Sequence, residues 1–104
     1  MIKVKLTKSS NIISKITING HANYADYGKD IVCAAVSSTV ITSVNIMLSL
    51  DNKSIEYEDN NGLIIDILKN DTVTNKIVKV LVDNLYELEK AYPNNIQIKE
   101  ENNE

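Results

Sequence analysis

The chain has no arginine, no tryptophan and no phenylalanine, and it contains one histidine, one cysteine, one proline and three glycines in 104 residues. Each shortage excludes something. Without arginine there is no guanidinium fork for bidentate contacts to phosphate or guanine, and the eleven lysines are outnumbered by fourteen acids, for a net charge of −3. Direct nucleic-acid binding is not expected. A single cysteine cannot form an intramolecular disulfide, and one Cys with one His falls well short of a four-ligand zinc site, so no metal or other cofactor is expected. A lone thiol suits a reducing compartment. No uninterrupted apolar run reaches the ~18 residues of a membrane span, and the opening MIKVKLTKSS lacks the apolar centre of a secretory signal. A cytoplasmic protein is expected.

What is present suits one small domain spanning residues 1–104, with a core built from aliphatic side chains because tyrosine is the only aromatic. Ile2, Val4 and Leu6 alternate with lysines, and after a turn over Lys8 to Asn11, Ile12, Ser14, Ile16 and Ile18 alternate with other partners, which predicts a hairpin. From Ile31 to about Leu50 the period is helical. The segment carries no charge between Asp30 and Asp51, so the helix should be buried on more than one side or meet a second copy of the chain. Residues 54 to 68 predict a second hairpin, in which a loop of Asn60, Asn61 and Gly62 sets Ile55 and Tyr57 opposite Ile67 and Ile65. Ile64 and Leu68 are left on the other face.

Thr72 to Tyr92 predicts a second helix with an apolar stripe of Val73, Ile77, Val80, Leu81, Leu85 and Leu88, stopped by Pro93. Ile96 and Ile98 form a short last strand, and the tail from residue 99 to 104 should fray. The expected fold is thus α+β, a small two-layer domain in the order β-β-α-β-β-α-β, with a mixed or mostly antiparallel sheet and two helices.

The only histidine and the only cysteine fall in one segment, GHANYADYGKDIVCAAVS, as His21 and Cys33. Cys33 comes three residues after Asp30, a good helix N-cap, so its sulfur should sit in the first turn of the first helix. The dipole there favours a thiolate only weakly, by about 0.3–1 kcal/mol. A base must supply the rest. If the loop folds back, His21 can take the thiol proton, and first-turn amides such as those of Cys33 and Ala34 can receive an oxyanion, which makes a minimal acyl-transfer site. The same residues also have a plain structural reading, Cys33 as core filler and His21 as a solvated loop residue. Asp30 can cap the helix or orient His21. Ser37, one turn after Cys33, can hydrogen-bond within the site or back to a backbone carbonyl. Tyr24 and Tyr27 can line a peptide groove or cover the core, while Gly20 and Gly28 set backbone geometry or border a substrate loop.

The segment resembles the signature of the ribosomal-processing cysteine protease family, in which a GHA triplet is followed, after a loop, by a G-x-D-x-V-C segment. The matching residues are Gly20, His21, Ala22, Gly28, Asp30, Val32 and Cys33. Chain length and element order agree with the family as well. The resemblance implies a homodimeric cytoplasmic cysteine endopeptidase that removes a short N-terminal extension from a large-subunit ribosomal protein. It implies His21 and Cys33 as the catalytic dyad, and a glycine-bounded substrate loop that maps onto Ala22 to Lys29, with Gly20, Ala22, Tyr24, Tyr27 and Gly28 as its candidate residues. The family's substrate is apolar and aromatic just before the cut. A reading from a different class is a non-catalytic dimeric module that binds a ribosomal protein or assembly intermediate.

Overall fold

The structure, a computed structural model, describes residues 1–20 and 30–103. The elements follow the expected order: β1 (Ile2–Ser9), β2 (Ile12–Asn19), α1 (Asp30–Leu50), β3 (Ile55–Asp59), β4 (Leu63–Ile67), α2 (Thr72–Ala91) and β5 (Ile96–Asn102). The strands form one mixed sheet in the order β3-β4-β2-β1-β5, antiparallel except where β5 runs parallel to β1. Ile2, Val4 and Leu6 of β1 turn into the core while Lys3 and Lys5 stay exposed. Both helices therefore cover one face of the sheet, and the domain is α+β in two layers.

The first hairpin is tighter than the sequence suggests. Lys8 and Ser9 still pair with Ile13 and Ile12, and the reversal falls on Ser10 and Asn11 alone, both in the left-handed region at φ 53° and 66°. Two such residues give the turn whose twist matches antiparallel strands. The register slips between Thr7 and Lys8, which leaves Ser14 as an extra residue whose hydroxyl donates to the Thr7 carbonyl at 3.2 Å. This bulge breaks the alternation expected for β2 and turns Ile13 toward the core. The second hairpin has the expected register, with Ile55 opposite Ile67 and Tyr57 opposite Ile65.

Helix α1 buries one stripe, Val32, Val36, Val40, Val44 and Met47, under the sheet. Its length and composition alone would let it cross a membrane, yet that stripe is part of a single continuous core. Outside that stripe Ile31, Ile41 and Ile46, and Leu50 at the end of the helix, are exposed in the single chain.

Helix α2 is rotated from its expected orientation. The buried residues are Thr74, Val78, Leu81, Val82 and Leu85, while Val73 and Val80 are more than half exposed. Four valines spread around this helix give two overlapping apolar faces that share Leu81 and Leu85, and packing against the sheet selects the second. Asp71 caps the helix by accepting from the Thr74 amide at 2.8 Å, and the Tyr92 amide closes it on the Leu88 carbonyl before Pro93.

The C-terminal strand is also longer than expected. Instead of fraying from residue 99, β5 stays paired with β1 as far as Lys8 and Asn102, and the Asn103 amide donates to the Lys8 carbonyl at 2.8 Å. Glu100 accounts for part of this, because it pairs with Lys8 at 2.9 Å and accepts a hydrogen bond from the Tyr86 hydroxyl. Backbone pairing along β1 outweighs the mutual repulsion of the tail's exposed acids.

Candidate active site

Cys33 is the fourth residue of α1, and its neighbours Val32 and Val36 are driven into the core. One step around the helix from that stripe, its side chain is half-buried at the edge of a cleft. The cleft has a volume of about 570 Å³ and is built from three places. Helix α1 supplies Cys33, Val36 and Ser37, strands β1 and β2 supply Ile2 and Ile18 with Gly20 just after them, and the β3–β4 hairpin tip supplies Asp59, Asn60, Asn61, Gly62 and Leu63.

Sheet order explains the meeting. Strand β4 runs antiparallel to β2 with Leu63 opposite Ile18, so the β3–β4 turn lies beside the end of β2, where the chain leaves toward His21. Two glycines permit the crowding. Gly20 has φ 88°, and a Cβ there would run into the Met1 carbonyl oxygen. Gly62 has φ 127°, and a Cβ there would run into the Asn19 side chain and lie 3.0 Å from the Ile18 carbonyl oxygen. An L side chain at either position would be strained and obstructed.

The floor of the cleft is apolar, from Ile2, Ile18, Val36 and Leu63, while the turn brings amide groups and negative charge. Asp59 is the only charged side chain among the described residues of the lining. Next to it, the Asn60 side-chain amide donates to the Glu58 carboxylate at 3.3 Å. Among the described residues no cluster of His, Cys, Asp or Glu could hold a metal ion.

Of the residues singled out in the sequence, the structure brings Gly20, Cys33 and Ser37 to one cleft. His21, Ala22, Tyr24, Tyr27 and Gly28, and the side chain of Asp30, lie outside the described residues. Because α1 opens at Asp30, Cys33 lies in its first turn and Ala34 just beyond it. Asp59, Asn60 and Asn61 were legible only as a hairpin turn. Their place near Cys33 follows from β4 pairing with β2, a long-range contact with no local signal.

A half-buried thiol in a helix first turn, facing an open cleft with an apolar floor, can attack the carbonyl of an extended peptide. Known proteins agree with this chemistry. The family model described as cysteine protease Prp matches residues 1–97. A ribosomal processing cysteine protease Prp of Staphylococcus aureus is 31% identical over 103 residues, covering 94% of this chain and 97% of its own. The protein of that name from Mycoplasma genitalium is 31% identical over 110 residues and covers both chains fully. A crystal structure of an essential ribosomal processing protease Prp from S. aureus, in complex with a covalently linked product peptide, matches with a TM-score of 0.89 at 25% identity, covering 97% of this chain and 100% of that one. The fold, the cleft beside its one cysteine and these relatives place the chain in the Prp family of cysteine proteases.

Proposed function

We propose that this protease removes a short N-terminal extension from a protein of the large ribosomal subunit, with Cys33 as the nucleophile and His21 as general base and then general acid. The observation that carries the reading is the position of Cys33, half-buried on the wall of an apolar-floored cleft. The ribosomal substrate is supported by the GHA and G-x-D-x-V-C motifs and by the relatives' description as ribosomal processing proteases.

In this mechanism His21 takes the proton from the Cys33 thiol, and the sulfur adds to the scissile carbonyl carbon. The oxyanion is received by amides in the first turn of α1. Collapse of the tetrahedral intermediate breaks the C–N bond as His21 returns the proton to the leaving amine. Water, deprotonated by His21, then adds to the thioester and releases the acid and the thiol. Ile2, Ile18, Val36 and Leu63 suit an apolar residue beside the cleaved bond. Tyr24 and Tyr27 contact the substrate from the segment that follows Gly20. Asp30 caps α1 or orients His21, and Ser37 hydrogen-bonds within the cleft.

The enzyme acts as a cytoplasmic homodimer in this reading, without cofactor or nucleic acid. The exposed, uncharged side of α1 supports a second copy as its cover: Ile31, Ile41, Ile46 and Leu50 lie on a helix with no charge between Asp30 and Asp51.

Alkylation of Cys33 by iodoacetamide near neutral pH tests the dyad. A paired thiolate reacts quickly and loses that advantage in His21→Ala; equal slow rates in both proteins contradict the assignment of His21.

A further inference from the structure

We infer that Asp59 selects substrate by charge, binding a lysine or arginine side chain of the peptide that occupies the Cys33 cleft. The inference rests on the protease reading above and adds a chemical requirement to it.

Side chains alternate across a strand, so Ile55, Tyr57 and Asp59 of β3 share one face. Ile55 is buried and Tyr57 packs against the core, which makes this the face that looks toward the helices. Glu56 and Glu58 look the other way. Asp59 is thus an exposed carboxylate at the end of a strand, on the side of the sheet where the core gives way to the cleft. Its charge reaches Tyr57, whose hydroxyl is pushed up first by burial and then by Asp59.

No described lysine answers it. Asp51, Asp66, Asp83 and Glu100 each have a lysine partner. Among the described residues Asp59 forms no ion pair, and the described cleft lining contains no cation. Across the ladder from Asp59 stands Leu63, part of the apolar floor. A peptide with an apolar residue on that floor thereby brings a neighbouring side chain within reach of the carboxylate. A cationic one gains an ion pair there, and an anionic one is repelled.

The test starts from a peptide that the native enzyme cleaves and replaces one flanking position at a time with Lys or with Glu. Cleavage is followed by mass spectrometry with the native chain, Asp59→Asn and Asp59→Lys. An exposed pair is worth about three-fold, so attraction and repulsion together predict a Lys-over-Glu preference of about ten-fold in kcat/KM at one position. The preference flattens in Asp59→Asn, reverses in Asp59→Lys, and weakens as salt is raised. Cleavage of the parent peptide with the same Lys-to-Glu ratio at every position in all three proteins overturns the inference alone. No cleavage of any peptide by the native chain overturns the protease reading and this inference with it.

Discussion

Leu63 stands opposite Ile18 in the β2–β4 ladder, and this pairing brings the tip of one hairpin to the end of another. The cleft beside Cys33 depends on it, because the third wall comes from residues some thirty positions further along the chain.

Gly62→Ala tests how closely that wall is fitted. The substitution forces an L side chain to φ 127° and drives its Cβ into Asn19 and the Ile18 carbonyl. We expect destabilisation of about 1–3 kcal/mol, read from urea unfolding, together with a fall in kcat/KM. An unchanged unfolding midpoint and full activity would contradict the described turn.

Neighbouring residues on α2 separate the two faces of that helix. Leu81 is fully buried, so Leu81→Ala should cost about 2–5 kcal/mol. Val80 is exposed, and Val80→Ala should change stability by no more than about 0.5 kcal/mol. Equal losses from the two would restore the stripe that spacing alone suggests.

The contact between Tyr86 and Glu100 makes part of the stability depend on pH. The Tyr86 hydroxyl is pushed up to about 12, first by burial and then by the hydrogen bond it donates to Glu100. Glu100 is held below the usual carboxylate range, first by that bond and then by Lys8. A raised tyrosine contributes fully below its ordinary value of 10.0 and loses the contribution as pH rises toward about 12. A lowered carboxylate contributes above its ordinary 4.5 and loses the contribution as pH falls through its folded value. The native chain should therefore resist urea better than Tyr86→Phe near neutral pH, by a margin that shrinks between pH 10 and about 12. A margin that stays constant over that range would count against the contact.

The exposed side of α1 predicts the oligomeric state. Sedimentation equilibrium should give twice the chain mass of 11.6 kDa, and Ile41→Asp should return it to the single-chain value. If the native chain sediments as a monomer, the homodimer is wrong.

Local periodicity made most of the fold readable. The pairing of Ile55 with Ile67 followed from the Asn60-Asn61-Gly62 loop, because a one-residue slip would turn every isoleucine to the wrong face. Three features escaped. The rotation of α2 did so because its valines offer two faces, and only contact with the sheet chooses between them. The bulge at Ser14 compensates a register that only the paired strand reveals. The length of β5 depends on parallel pairing with β1, ninety-four residues earlier in the chain at Lys8 and Asn102. For the site, Cys33 and Ser37 were legible because their chemistry lies in one helix turn. Asp59 was not, since a charged residue at the end of a strand looks like any solvated hairpin until the strand order is known.

The central claim is that Cys33 performs the cleavage. It is tested most directly by the intact mass of a large-subunit ribosomal protein bearing its N-terminal extension, after incubation with the native chain and, in parallel, with Cys33→Ala. One defined N-terminal loss is expected with the native chain and none with the variant. The same loss with both proteins would contradict it.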